Sequence, residues 1–333
     1  MRLIRRPAEQ GEILPSGCVA TIGVFDGVHL GHQRILQQVI DQAKRRGLES
    51  LVFTFEPTPR EYFSSASPPA RLTRLREKFA VLAGLGVRWM FCPRFDSRLE
   101  SLEPDAFIEQ LLVGTLRVRH LVVGDDFRFA RRRAGTLADL QAAGPRAGFT
   151  VEQVSSVISD GVRVSSTAVR EALATGDMER ARRLLGRHYS MTGRVVRGRN
   201  LGRQLGMPTA NVNLCRRLSP VAGIFAVQVA GLASGLMAGV ASVGTRPTID
   251  GVVPLLEVHV FDFDRDIYGR YIEVQFVARL RDEVKFPDLP SLQRRYDASG
   301  PPLPPHHFAI NQIRSITNSS TIVISNTSIH RLF

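Results

Sequence analysis

Two rhythms alternate through the first half of the chain. Short apolar runs, CVATIGVF (18–25), LESLVFTF (48–55), VRWMFCP (87–93), RHLVVG (119–124) and FTVEQV (149–154), have the length and β-branched content of buried strands. Between them apolar residues recur at helical spacing, from about His32 to Arg46 and from Thr73 to Leu85, and Glu103-Pro104-Asp105 opens a further helix. The segment Glu56–Pro69, rich in Pro, Ser and Thr, reads as a loop. Two short helices, Thr167–Thr175 and Met178–Leu185, close this half. Strands alternating with helices predict a parallel sheet with crossover helices, a doubly wound, Rossmann-like α/β domain. Ligands of such sheets bind at the carboxyl ends of the strands.

From Tyr189 the texture changes. GRVVRG, GIFAVQVAG, LMAGVASVG, LLEVHVFDF and YIEVQFVARL follow one another with Gly, Pro and Asp at the turns, which predicts a small all-β barrel. The expected division is therefore 1–186, 187–298 and a tail, 299–333, whose proline-rich and polar stretches read as poorly ordered. From Leu218 to Thr245 there is no charged residue, and Gly231, Gly235 and Gly239 have the spacing of a membrane helix-packing motif. Those glycines and Pro220 make a poor helix, and the stretch reads as strand, turn, strand.

Composition narrows the class. The 333 residues suffice for two cores, and 44% hydrophobic with 23% charged residues is an ordinary globular balance. Cys18, Cys92 and Cys215 are too scattered for a disulfide framework or a zinc site. The N-terminus MRLIRRPAEQGEILP lacks the apolar centre of a secretory signal, so the expected location is cytoplasmic. A net charge of +13 invites a nucleic-acid partner, but the basic runs (Arg131–Arg133, Arg182-Arg183) are short and without interleaved aromatics. Anionic small substrates use the same positive field, and neither nucleic acid nor membrane is expected as a partner. Self-association is left open. None of the three lysines, Lys44, Lys78 and Lys285, lies in a Walker A loop, so any ATP is held by another device.

That device is visible between the first strand and its helix. GVFDGVHLGH runs from Gly23 to His32 through Phe25, Asp26 and Gly27, with His29 and His32 flanking Leu30-Gly31. Backbone amides and the helix dipole favour an anion there, and Gly27 and Gly31 let a phosphate approach closely. Two imidazoles at that spot can donate to a phosphoryl group and to departing pyrophosphate; alternatively they are ordinary turn histidines. The segment resembles the HxGH nucleotidyltransferase superfamily. RVSSTAVR supplies a second part: Ser165, Ser166 and Thr167 at a helix N-cap, with Arg163 and Arg170 on either side, suit β- and γ-phosphates. Adenylyl transfer is the reaction class these two motifs imply together, chemistry that needs positioning more than a covalent group.

Further motifs resemble one family over residues 15 to about 297. FTFEPTPREYF (53–63) and VVGDDFRFARRRAGT (122–136) complete, with GVFDGVHLGH, the pattern of bacterial bifunctional riboflavin kinase/FAD synthetases. By that resemblance Phe55, Pro57, Pro59, Asp126, Phe127 and Arg128 shape the flavin pocket. GRVVRGRNLGRQLGMPTAN, GVASVGTRPT, LLEVHVFDFDRDIYGR and VARLRDEVKF resemble the flavokinase module in order. There Gly198, Gly202 and Gly206 would form a flap over phosphates, and the Thr209 hydroxyl and Asn211 amide oxygen suit magnesium and ATP. Glu257, a carboxylate in an apolar strand, is either a structural ion-pair partner or a general base; the resemblance makes it the base for the riboflavin 5′-hydroxyl. The implied function is phosphorylation of riboflavin to FMN and adenylylation of FMN to FAD, with ATP as co-substrate and Mg2+ as cofactor. Two other readings are an FMN adenylyltransferase whose β-domain only binds or senses flavin, and a nucleic-acid binder built on a vestigial HxGH fold. The sequence departs from the family at Ala130, usually glycine, at Met207, usually phenylalanine, and after residue 299, where prolines 301, 302, 304 and 305 stand in place of a long helix.

Overall fold

The structure is a computed structural model that describes residues 1–6, 14, 16–64, 68–198, 208–248 and 251–283. It divides into two compact units. One comprises Met1–Val169 with Leu184–Gly186, and the other comprises Arg170–Arg183 with the residues from Arg187 onward.

In chain order the first unit contains β1 (Arg2–Ile4), β2 (Cys18–Ile22), α1 (Leu30–Arg46), β3 (Glu49–Phe53), α2 (Pro59–Phe63), α3 (Leu75–Gly84), β4 (Trp89–Phe91), α4 (Ser97–Glu100) and α5 (Pro104–Phe107). A π-helical stretch, Ile108–Thr115, continues α5, and β5 (Val118–Gly124), α6 (Leu137–Ala147), β6 (Thr150–Val154) and the hairpin β7 (Ile158–Ser159) and β8 (Val162–Arg163) follow. α7 (Ser166–Thr175) begins in the first unit, and α8 (Met178–Leu185) ends in it. Six parallel strands form one sheet in the order β1-β4-β3-β2-β5-β6. Every residue of β2 is buried, as a strand covered on both faces requires. The expected strands are present, β5 one residue longer and the others shorter, and β1, α2, α4, α6 and the β7–β8 hairpin are additions to the sequence reading; α2 stands within the segment 56–69 read as a loop, where the Thr58 cap and Pro59 start a helical turn. α1 starts two residues before the expected His32 because the His29 side chain caps it; Gly47, at φ 65°, ends it. The chain runs from β2 outward through β3 and β4, then returns to β5 on the other side of β2, so strand order reverses between β2 and β5. The loops after these two strands, carrying His29 and Phe127, therefore flank the switch point where α/β sheets bind ligands.

The second unit is a closed antiparallel barrel of β9 (Tyr189–Val196), β10 (Ala210–Asn213), β11 (Gly223–Ala230), β12 (Met237–Thr248), β13 (Gly251–Val260) and β14 (Tyr271–Arg281), in the order β10-β13-β12-β11-β14-β9. Alternate residues such as Val195, Val212, Val227, Val243, Leu256, Val258 and Val274 are buried, the inward half of the strand period. The charge-free stretch 218–245 forms β11, a turn and the first part of β12, as its glycines foretell. Among the described residues no helix is long and apolar enough to cross a membrane.

Candidate active sites

The turn after β2 is pinned from beneath by buried polar groups. Asp26 accepts from the amides of Leu72 (3.1 Å) and Thr73 (2.9 Å), and Thr73 Oγ1 accepts from the Gly27 amide at 2.9 Å. Lys78, 2% exposed, donates from Nζ to the Val24 carbonyl at 2.6 Å. Gly27 sits at φ 82°, with Leu72 so close that a Cβ would lie 2.8 Å from its Cδ1, so only glycine fits. Asp26 and the buried Phe25 ring, both sequence candidates for the nucleotide, thus face protein: Asp26 orients residues 72–73, and Phe25 packs 5.0 Å from the His32 ring.

On this platform the two imidazoles stack, with ring centroids 3.7 Å apart and 18° between planes. His29 Nδ1 accepts from the His32 amide at 3.3 Å, so the neutral ring carries its proton on Nε2, the nitrogen that can donate to a phosphoryl oxygen. Burial, reinforced by the positive charge that His29 carries when protonated and by that of Lys78, drives His32 well below the ordinary histidine value of 6.5, so it remains neutral. Its Nδ1 is buried with no hydrogen-bond partner among the described residues. The RVSST segment arrives at the same place. Ser166 Oγ donates to the Asp26 carbonyl at 2.9 Å, the Val164 carbonyl lies against Gly31, and Ser165 Oγ caps α7 by accepting from the Ala168 amide at 3.1 Å. Thr167 is exposed in the first turn of α7. Arg170 follows on α7 where the chain passes into the second unit. Lys78, Leu72 and Thr73 were not among the site residues that the sequence reading singled out. One signal for Lys78 was there: it falls on the apolar stripe Leu75–Leu82, at the third position of a seven-residue step.

The candidate flavin residues gather at the carboxyl ends of β3 and β5. Phe55 and Phe127 pack on one core cluster through Phe53, Phe107 and Phe129. Phe55 also meets Phe95, which contacts Tyr62 and the exposed Phe63, extending the aromatic surface beyond the expected residues. Pro57 follows a cis peptide, and Pro59 opens α2 behind the Thr58 cap. Arg71 ties this segment down through Glu56 (2.7 Å) and Glu61. Burial works against ionisation of Glu61, yet the hydrogen bonds from Arg71 and Thr58 hold its carboxyl below the usual range. Asp126 pairs with Arg163 at 2.9 Å, joining a flavin candidate to a phosphate candidate, while Arg128 is exposed beside them in the sequence. Ala130 stands at φ 62°, ψ −168°, a conformation that belongs almost wholly to glycine.

In the barrel, register alone assembles the site. Asn211 on β10 lies directly opposite Glu257 on β13, which lies opposite Ser242 on β12, so three polar side chains form one row across three strands on the outer face. Asn211 is buried at 9% exposure. Gly198 abuts it so closely that a Cβ would fall 2.1 Å from the amide nitrogen, a close approach only glycine permits. Thr209 precedes the row and is exposed. His259, two residues beyond Glu257, joins its Nδ1 to the Pro208 carbonyl at 2.9 Å. Ser242 Oγ donates to Glu283 at 3.4 Å. Ser242 and His259 were missed by sequence reasoning, although strand alternation places His259 on the face of Glu257. Gly202, Gly206, Met207 and the tail from 299 lie outside the described residues.

A family model for FAD synthetase matches residues 12–168, and one for riboflavin kinase matches residues 185–298. The bifunctional riboflavin kinase/FMN adenylyltransferase of Escherichia coli (strain K12) is 47% identical over 293 residues, covering 88% of this chain and 94% of that protein. The protein so described from Haemophilus influenzae is 46% identical over 293 residues, covering 88% and 95%. A crystal structure described as a macrolide-efflux protein from Streptococcus pneumoniae aligns with a TM-score of 0.75 at 29% identity, over 89% of this chain and 96% of that one.

Proposed function

The chain belongs to the bifunctional riboflavin kinase/FMN adenylyltransferase family, and from that membership we propose which of its residues carry each reaction. Riboflavin is phosphorylated by ATP to FMN, and FMN is joined to the adenylyl group of a second ATP, giving FAD and pyrophosphate. We assign the second reaction to residues 1–186 and the first to 187–298.

In adenylyl transfer the FMN phosphate attacks the α-phosphorus of ATP and pyrophosphate leaves. His29, with its proton on Nε2, donates to the α-phosphoryl oxygens as charge builds there. His32, held neutral by burial, presents an imidazole to the same charge without a standing positive charge of its own. Gly27, against Leu72, and Gly31, against the His29 ring and the Val164 carbonyl, give the turn its close packing, and with Gly23 they would border the phosphates; Phe25 and Asp26 hold the turn from below. The amides at the start of α7, the Thr167 hydroxyl, Arg163 and Arg170 receive the pyrophosphate end. Phe55, Pro57, Pro59, Phe127 and Arg128 border the flavin, and Asp126 exchanges its exposed pairing with Arg163 for ligand contacts.

In the kinase reaction Glu257 accepts the proton of the riboflavin 5′-hydroxyl as that oxygen attacks the γ-phosphorus of ATP, whose bond to the β,γ-bridging oxygen breaks as ADP leaves. Thr209 and Asn211 offer a hydroxyl and an amide oxygen beside this carboxylate, an all-oxygen donor set suited to a hard cation arriving with ATP. Among the described residues no cluster of His, Cys, Asp and Glu forms a metal cage of its own. Magnesium, when bound, would neutralise phosphate charge, and Gly198, packed against Asn211, would let the backbone approach it closely. We place the enzyme in the cytoplasm with small-molecule substrates alone.

The observation that carries this assignment is the row Asn211–Glu257–Ser242, because it puts a base and a phosphate-side amide on facing positions of neighbouring strands. The test is a time course with riboflavin, ATP and magnesium, resolving FMN and FAD. FMN should rise first and FAD should follow; FAD formed only from supplied FMN would remove the kinase assignment.

A further inference from the structure

We propose that His259 is a positioning residue of the kinase reaction, holding Pro208–Asn211 in the shape that Thr209 and Asn211 need to meet ATP and magnesium. The inference rests on the reading of that segment given above.

The β10–β13 ladder pairs Val212 with Leu256, Asn211 with Glu257 and Ala210 with Val258, and there it stops. One step further would set Thr209 against His259, but the chain leaves the sheet, and Pro208 has no amide with which to continue the ladder. Thr209 therefore stands outside the hydrogen bonds that fix Asn211. The His259 side chain takes over at that point, its Nδ1 lying 2.9 Å from the Pro208 carbonyl oxygen. A carbonyl only accepts, so Nδ1 carries the proton, and one imidazole anchors the segment that the backbone no longer holds.

The ring is itself fixed. Phe261 meets it edge-on with centroids 5.7 Å apart at 73°. Its Nε2 is buried and has no partner among the described residues. A buried nitrogen without a partner costs stability, and an apolar residue would avoid that cost at this position. Strand alternation puts the imidazole on the face that carries Glu257, so base and nucleotide segment are tied to one strand, two residues apart.

The test uses the full chain, reading the KM for MgATP, the magnesium half-saturation and kcat in FMN synthesis, with conversion of supplied FMN to FAD as the internal control. Asparagine can place its amide N–H near the position of Nδ1, whereas the longer glutamine places its own near Nε2. His259→Ala should raise the magnesium and MgATP requirements about 10–100-fold, with a smaller change in kcat, as loss of a group that orients metal-side residues does. His259→Asn should recover values within about threefold of the parent while losing the ring packing, and His259→Gln should not. Equal impairment of the Asn and Ala variants would overturn the proposal, as would a Gln variant better than Asn, a comparison that decides even if the alanine variant fails to fold. Asn211→Ala separates the premise from the inference. If it shifts the magnesium and MgATP requirements and His259→Ala does not, the inference fails alone; if it shifts neither, the reading of Pro208–Asn211 fails and the inference with it.

Discussion

The two units position their candidate reactive groups by opposite means. In the α/β unit, His29 and His32 sit on an irregular turn with positive φ at Phe25, Gly27 and Val28, and that turn holds its shape because Asp26, Thr73, Lys78 and Ser166 tie it to the protein beneath. In the barrel, Asn211, Glu257 and Ser242 need no such scaffold, because antiparallel register aligns them across neighbouring strands. An irregular turn can aim two rings at one phosphorus but needs buried polar support. A strand row is simple to build but can only place groups at ladder spacing, and its weak point is where the ladder ends, at Thr209.

The sharpest way to break this comparison is through the row. Glu257→Gln keeps the shape and removes the base, so FMN synthesis should fall by roughly 10²–10⁴-fold while supplied FMN is still converted to FAD. Retained FMN synthesis, measured by chromatography of the products, would make Glu257 structural. The reciprocal experiment is His29→Ala, expected to slow FAD formation by roughly 10²–10³-fold with FMN formation intact. Parallel loss of both products would instead indicate a folding defect.

A smaller effect separates polar support from chemistry. His120, buried on β5, bonds Thr150 Oγ1 at 2.6 Å and Glu152 at 3.1 Å. Burial lowers its pKa below 6.5, against the opposing pull of Glu152. Because the unfolded chain then takes up the proton more readily, His120 lowers stability as pH falls through 6.5, and the loss levels off below its folded value. His120→Gln should therefore flatten part of the decline in denaturation midpoint between pH 7 and pH 5. A decline of unchanged steepness would assign it to His32 and His188, whose values are lowered in the same direction by burial.

The smallest expected change is a gain. Ala130 occupies backbone space proper to glycine, so Ala130→Gly should stabilise the first unit by about 1 kcal/mol, raising its melting temperature by about 2–4 °C. A lower melting temperature would mean that the loop relaxes around alanine at no cost.

These experiments also mark how far the sequence could be read. The central strands and α1 announced themselves because burial on both faces demands unbroken apolar runs and a half-buried helix demands a stripe. β1 did not, since three residues, one of them Arg2, carry no period. α6 was hidden by Gly144 and Pro145, which the helix accommodates near its end. His29, His32, Asn211 and Glu257 were visible as motif residues, whereas the groups that hold their surroundings, Lys78 and His259, were visible only as exceptions on otherwise apolar or alternating faces. Asp26 shows the converse: motif membership says that a residue matters, and the hydrogen bonds say it acts from beneath.

The barrel closes by pairing β9 with β14, strands whose partners stand as far apart in sequence as Met191 and Val274. During synthesis from the N-terminus, the six-stranded sheet and its histidine turn have all their residues before the last barrel strand exists. The Asn211–Glu257 pair likewise waits for β13, long after β10 has emerged. Closing such a long loop slows folding, and domains complete themselves in the order they are made. On a growing chain, the half that consumes FMN is therefore assembled before the half that makes it.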